Sequence, residues 1–136
     1  MKFKIPKGTK TLYKKFKRTH AHEWLQIQQE GLSDKVQGLV IGEVERYRRK
    51  GKLSPVVMLH SCVESVEEHT DNICKSCYVL PVVVRGCWIF QCESRKVKLE
   101  EGKMFKFSTF NKHSLVKLNG GMCVFYTVDY VPSNNV

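Results

Sequence analysis

The spacing of apolar residues changes at Pro55. Ahead of it they recur at helical intervals among charged residues; beyond it they gather in short runs of Val, Phe, Tyr, Trp and Ile. From Ser33 to Lys50 the apolar positions Val36, Leu39, Val40, Val44 and Tyr47 fall three or four residues apart, the period of an amphipathic helix. Ser33 or Asp34 is its expected N-cap, Arg46, Arg48, Arg49 and Lys50 complement the negative end of its dipole, and Gly51 stops it. Gly38 and Gly42 weaken helical propensity here, so a strand over Leu39–Val44 is the competing reading. A shorter amphipathic helix is expected over Thr19–Leu32, with Trp24, Leu25 and Ile27 near one side and Gly31 closing it.

The runs after Pro55 are Val56–Cys62, Val63–Asp71, Tyr78–Val84, Cys87–Glu93, Lys96–Leu99, Met104–Phe107, Ser114–Leu118 and Met122–Val131. Turn residues such as Arg85-Gly86, Glu101-Gly102 and Asn119-Gly120-Gly121 join them. This succession of short strands predicts a small all-β sandwich or barrel preceded by one or two short helices. No internal repeat or low-complexity tract interrupts it.

Composition narrows the class. A chain of 136 residues, 42% of them hydrophobic, forms one core without needing a disulfide framework or a structural metal, and is not generally disordered. No apolar run reaches the length of a membrane span, and the lysine-rich start lacks the apolar stretch of a secretory signal, so a cytoplasmic protein is expected. The formal net charge of +10 is uneven. Residues 1–20 hold eight bases and no acid, residues 21–52 six bases and five acids, and residues 53–136 nine bases and eight acids. The chain therefore divides into a basic N-terminal arm (1–20), a helical lead-in (21–53) and a nearly neutral β domain (54–136). Lys10, Lys14, Lys15, Lys17 and Arg18 of the arm suit contact with nucleic acid or an acidic protein, or simply solvate a tail.

Cysteine and histidine carry the candidate chemistry. The six cysteines read as free thiols in the expected compartment. Cys74 and Cys77 have CxxC spacing, but lack the second pair of a zinc ribbon and the strand and helix that flank a redox site. Among the five histidines, His20 and His22 belong to the basic segment, and His60 is either a core residue or part of a pocket wall. His69 is followed two residues later by Asp71, and on an extended strand those side chains share a face. His113, at the start of a strand, supplies a third ligand. Two imidazoles and one carboxylate on one side of a metal form the facial set of non-haem Fe(II) oxygenases, with open positions opposite.

The segment from about Ser54 to Val131 resembles the double-stranded β-helix, or cupin-like jelly roll, of Fe(II)- and 2-oxoglutarate-dependent oxygenases. It is most similar to short members of the aspartyl/asparaginyl β-hydroxylase type, some of them phage-encoded. The resemblance rests on His69-Thr70-Asp71-Asn72, the apolar hairpin Tyr78–Cys92, the segment Leu99–Phe107, Phe110-Asn111-Lys112-His113-Ser114 and a final strand Met122–Tyr130. It implies Fe(II) held by His69, Asp71 and His113, 2-oxoglutarate as cosubstrate, and hydroxylation of an unidentified substrate, with the basic arm recruiting an acidic macromolecule.

One position departs from that pattern. The family anchors the distal carboxylate of 2-oxoglutarate with an Arg or Lys on the last strand, where this chain has Cys123. Arg85, Arg95, Lys103, Lys106 and Lys117 are candidate substitutes, with Tyr78 as a hydroxyl donor. Two other readings stand beside the oxygenase: a non-catalytic jelly-roll binding module, and a metal-dependent cupin enzyme that uses no 2-oxoglutarate. Neither substrate nor oligomeric state is written in the sequence.

Overall fold

The computed structural model describes residues 1–19, 24–49 and 51–133, apart from the side chains of residues 15–19 and 24. In chain order the elements are helix α1 (Thr9–Thr19), strand β1 (Trp24–Ile27), a single 3-10 turn (Gln29–Gly31) and helix α2 (Asp34–Glu45). There follow β2 (Leu53–Cys62), β3 (Val66–His69), β4 (Cys77–Val84), β5 (Cys87–Cys92), β6 (Arg95–Lys98), β7 (Phe105–Phe107), β8 (His113–Asn119) and β9 (Cys123–Pro132). The strands form two antiparallel sheets, ordered β1-β2-β9-β4-β7 and β3-β8-β5-β6. The expected mainly β jelly roll is what the chain forms.

All eight strands expected after Pro55 are present. The second is shorter than Val63–Asp71, because pairing with β8 is irregular between Val66 and His69 and ends there. Helix α2 follows the predicted periodicity, with Val40 and Val44 buried. Ser33 is its N-cap, its side chain accepting from the Val36 N–H at 3.2 Å. A Cβ at Gly38 or Gly42 would meet nothing within 4 Å, so those glycines lie on an open side of the helix.

The lead-in differs from expectation. A helix over Thr19–Leu32 is replaced by β1, which pairs with β2 from Trp24↔Cys62 to Ile27↔Leu59. The edge of β2 offers hydrogen bonds to Trp24–Ile27, and the alternation there suits a strand: Leu25 and Ile27 are buried while Gln26 faces the other way, into the cavity described below. His20 and His22 lie outside the described residues.

The basic arm is not a solvated tail. Phe3, Thr9 and Tyr13 are buried, and the Tyr126 hydroxyl donates to Thr9 Oγ1 at 2.9 Å while Thr9 Oγ1 donates to the Pro6 carbonyl at 2.8 Å. Thr9 and Tyr13 are four residues apart on α1 and so share a face, which packs on the barrel; Lys10 and Lys14 are exposed. The side chains of Lys15, Lys17 and Arg18 lie outside the described set.

Strand β9 explains how the layers stack. Val124, Tyr126, Val128 and Tyr130 join the core with α1 and α2, whereas Cys123, Phe125, Thr127 and Asp129 point to the opposite face, toward the second sheet. The strand is therefore buried on both sides, as is β4. Burying each such Val or Tyr contributes about 1.5–3 kcal/mol, which makes this double-faced sheet the structural backbone of the domain. Pro81 fits within β4 because pairing with β9 shifts between Pro81 and Val83.

Candidate metal centre

Between the sheets lies a cavity of about 610 Å³, within the range of small-molecule sites. His69, the last residue of β3, and His113, the first of β8, are register partners. Asp71 lies two residues beyond the strand end, so its approach does not depend on strand alternation, as the HxD spacing suggested. It is positioned by a backbone bond from the Asp71 N–H to the Thr109 carbonyl at 2.8 Å. That loop carries the carboxylate to the two rings: Asp71 Oδ2 is 3.3 Å from His69 Nε2 and 3.2 Å from His113 Nε2.

Backbone carbonyls set the ring tautomers. His69 Nδ1 is 2.7 Å from the Glu67 carbonyl and His113 Nδ1 is 2.8 Å from the Asn111 carbonyl. A carbonyl only accepts, so each Nδ1 carries a proton and donates it, which leaves Nε2 as the ring atom turned toward Asp71 and available as a ligand. Both Nε2 atoms then face one carboxylate oxygen, so two imidazoles and a carboxylate converge on a point where a cation could be held. The ligating atoms of the three residues lie within 4.8 Å of one another. Adjacent ligands about 2.1 Å from a metal sit about 3 Å apart in octahedral geometry, close to the two separations at Asp71. The donor set thus fits a divalent transition ion, and the Nδ1 bonds are the outer contacts that hold metal-binding imidazoles in place.

His113 is also held by packing, 4.8 Å from Phe107 and 6.0 Å from Phe90, centroid to centroid. It is buried, whereas His69 and Asp71 are each about 40% exposed, so the centre lies where the cavity opens to solvent.

The opposite wall comes from β2 and β9. Gln26 Nε2 donates to His60 Nδ1 at 3.3 Å, and His60 Nε2 then donates to Thr127 Oγ1 at 2.8 Å. His60 stacks on Phe125 with ring centroids 4.9 Å apart. Burial lowers its pKa to about 4, a fall only partly opposed by the charge of Asp71. His60 is therefore a neutral wall residue, the second of the two roles open to it in the sequence. Asp129, also on this wall, is 6% exposed, and burial raises its pKa despite hydrogen bonds from the Cys77 and Cys74 thiols.

Gln26, Thr127 and Asp129 escaped the sequence reading. The signal was present for two of them: Thr127 and Asp129 are polar residues at alternate positions in a strand whose neighbours are all apolar, and a strand buried on both faces must bury them too.

The CxxC pair is buried, with Cys74 Sγ 3.6 Å from Asp129 Oδ1. Burial first, and the charge of Asp129 second, push the Cys74 thiol up to about 12 and Cys77 well above its usual value, so neither is a reactive thiolate. Cys123, at the family's anchor position, is fully buried opposite Cys62.

The substitute anchors do not reach the cavity. Tyr78 packs edge-on against Tyr130 in the core on the helix side of the sheet. Arg85 pairs with Glu101 at 3.2 Å, and Lys117 Nζ donates to the Val63 carbonyl at 2.8 Å. Arg95 donates to the Lys106 carbonyl and Lys103 pairs with Glu100. Among the described residues no Lys or Arg lines the cavity, which offers a dicarboxylate such as 2-oxoglutarate no cationic partner beyond a metal.

The fold is similar to the cupin domain of an XRE-family transcriptional regulator from Enterobacter cloacae, with a TM-score of 0.53 at 10% identity, covering 82% of this chain and 100% of that one. It is likewise similar to a conserved protein of unknown function from Streptococcus pyogenes, with a TM-score of 0.52 at 11% identity over 84% and 79% of the two chains. A cupin-superfamily protein from Desulfitobacterium hafniense aligns with a TM-score of 0.48 at 9% identity, over 81% and 79%. No protein-family model matches the sequence, and no curated protein matches it.

Proposed function

The domain has the cupin fold, a double-stranded β-helix, and we propose that it is a metal-dependent cupin enzyme that acts on a small molecule without 2-oxoglutarate. The observation that carries this reading is the convergence of two imidazole Nε2 atoms and the Asp71 carboxylate at the mouth of an aromatic-walled cavity. Two imidazoles and a carboxylate on one side favour Fe(II), which supplies Lewis acidity and redox chemistry at the positions left open. Asp71 and the two histidines would hold the ion, Phe90 and Phe107 exclude water behind His113, and the Gln26–His60–Thr127 chain orients what enters from the far wall.

The test is elemental analysis of full-length protein reconstituted anaerobically with Fe(II), alongside His69→Ala and His113→Ala. One iron per chain in wild type, lost in both variants, is the expected result. Stoichiometric iron retained by the variants, or none in wild type, overturns the reading.

A second reading, a docking module for nucleic acid or an acidic protein, is favoured by one observation: α1 packs through Thr9 and Tyr13 while Lys10 and Lys14 stay exposed.

A further inference from the structure

The charge inside the cavity is opposite in sign to that of the chain. Residues 53–136 contain nine bases and eight acids, yet four of those acids line the cavity and none of the bases does. Asp71 belongs to the metal centre, and a divalent ion there offsets only two of the four carboxylate charges. Glu67 and Glu68 are exposed, on the strand that carries His69. Asp129 is the buried one, and its described partners are the Cys74 and Cys77 thiols, which are weak donors. A buried carboxylate with such partners favours a charged donor that enters with a ligand. The rings of Phe90, Phe107 and Phe125 line the same cavity as Asp129, and aromatic rings attract a cation with their faces and bury apolar surface.

We propose that the cavity selects a small protonated amine with an apolar body, its ammonium bound to Asp129 and its body held among these aromatic rings, and that it rejects carboxylate ligands. The exposed Glu67 and Glu68 draw such a cation toward a protein that is elsewhere strongly basic. The proposal rests on the cavity being the substrate site of the metal-dependent enzyme described above.

Calorimetric titration of the full-length chain loaded with Mn(II) tests it, using phenethylamine, its near-isosteric acid 3-phenylpropionate, and 2-oxoglutarate as probes. Phenethylamine is expected to bind at least tenfold more tightly than either acid, and Asp129→Asn to remove that preference. Equal or tighter binding of an acid, no binding of the amine, or an unchanged preference in folded Asp129→Asn overturns it. Should Asp129→Asn fail to fold, the comparison of the three probes on wild type decides alone. Metal content measured on the same samples separates the two readings. Bound metal with a preference for acids sinks the amine site only, and an amine preference without bound metal sinks the metal centre only.

Discussion

Asp71 Oδ2 and His113 Nε2 lie 3.2 Å apart although 42 residues separate them in the chain. His69 and His113 both bring Nε2 to that carboxylate, so a bound divalent ion would tie β3, β8 and the Asp71 loop together through one centre. Saturating metal at about a hundred times its dissociation constant should stabilise the fold by about 3 kcal/mol, a rise in melting temperature of some 10 °C, which a chelator reverses. His69→Ala should abolish the rise and leave the metal-free melting temperature nearly unchanged, because that side chain is 38% exposed. Scanning calorimetry with and without metal checks both.

His60 makes the protein sensitive to acid. Its folded-state pKa of about 4 is below the unfolded value near 6.5, so the unfolded chain takes up a proton first as pH falls. This histidine leaves stability untouched above pH 6.5 and lowers it progressively between there and pH 4, by on the order of 3 kcal/mol. Urea titrations at intervals across that window should show the decline in wild type and a flatter profile in His60→Gln.

Asp129 has the opposite linkage. Its folded-state pKa is raised, chiefly by burial, so its ionised form weakens the fold at neutral pH and protonation restores stability as pH falls through that raised value. Asp129→Asn should therefore melt higher than wild type at pH 7 without metal or ligand, with the difference shrinking toward pH 4. A lower melting temperature at pH 7 would show that the thiol bonds outweigh the desolvation.

The two turns at one end of the barrel allow no side chain. Gly86 and Gly120 have φ of +89° and +90°, and a Cβ on Gly120 would lie 2.3 Å from the Gly86 Cα. Only backbone stands in the way, so nothing flexible can yield. Gly120→Ala should cost about 3 kcal/mol or more, seen as a reduced midpoint in urea, whereas Gly42→Ala on the open side of α2 should be neutral or stabilising.

The buried Tyr126–Thr9 hydrogen bond ties α1 to the barrel. Tyr126→Phe should cost about 1 kcal/mol. Removing residues 1–20 would also strip Phe3 and Tyr13 from the core and unfold the domain. The role of the arm is therefore better tested with Lys10→Glu and Lys14→Glu together. If α1 docks on nucleic acid, this pair should weaken salt-sensitive retention at least tenfold while leaving the melting temperature within a few degrees, and unchanged retention would refute it.

What was legible in the sequence was local. Period-3.6 spacing located α2, and Ser33 marked its start. Runs of β-branched and aromatic residues located the strands after Pro55, and Gly86 and Gly120 marked turns, because spacing, capping and positive φ act within a few residues. His69, Asp71 and His113 stood out because their residue types bind metals. Relations between distant segments were decided only by the tertiary structure. The Trp24–Ile27 segment became a strand because the edge of β2 offered it partners. The basic arm acquired a buried face because Tyr126 and Met122 lie where Thr9 and Tyr13 can meet them. The cavity became acidic because folding turned Asp129 inward and left every described lysine and arginine outside. A count of charges along the chain has no term for direction, and direction is what the packing of two sheets supplies.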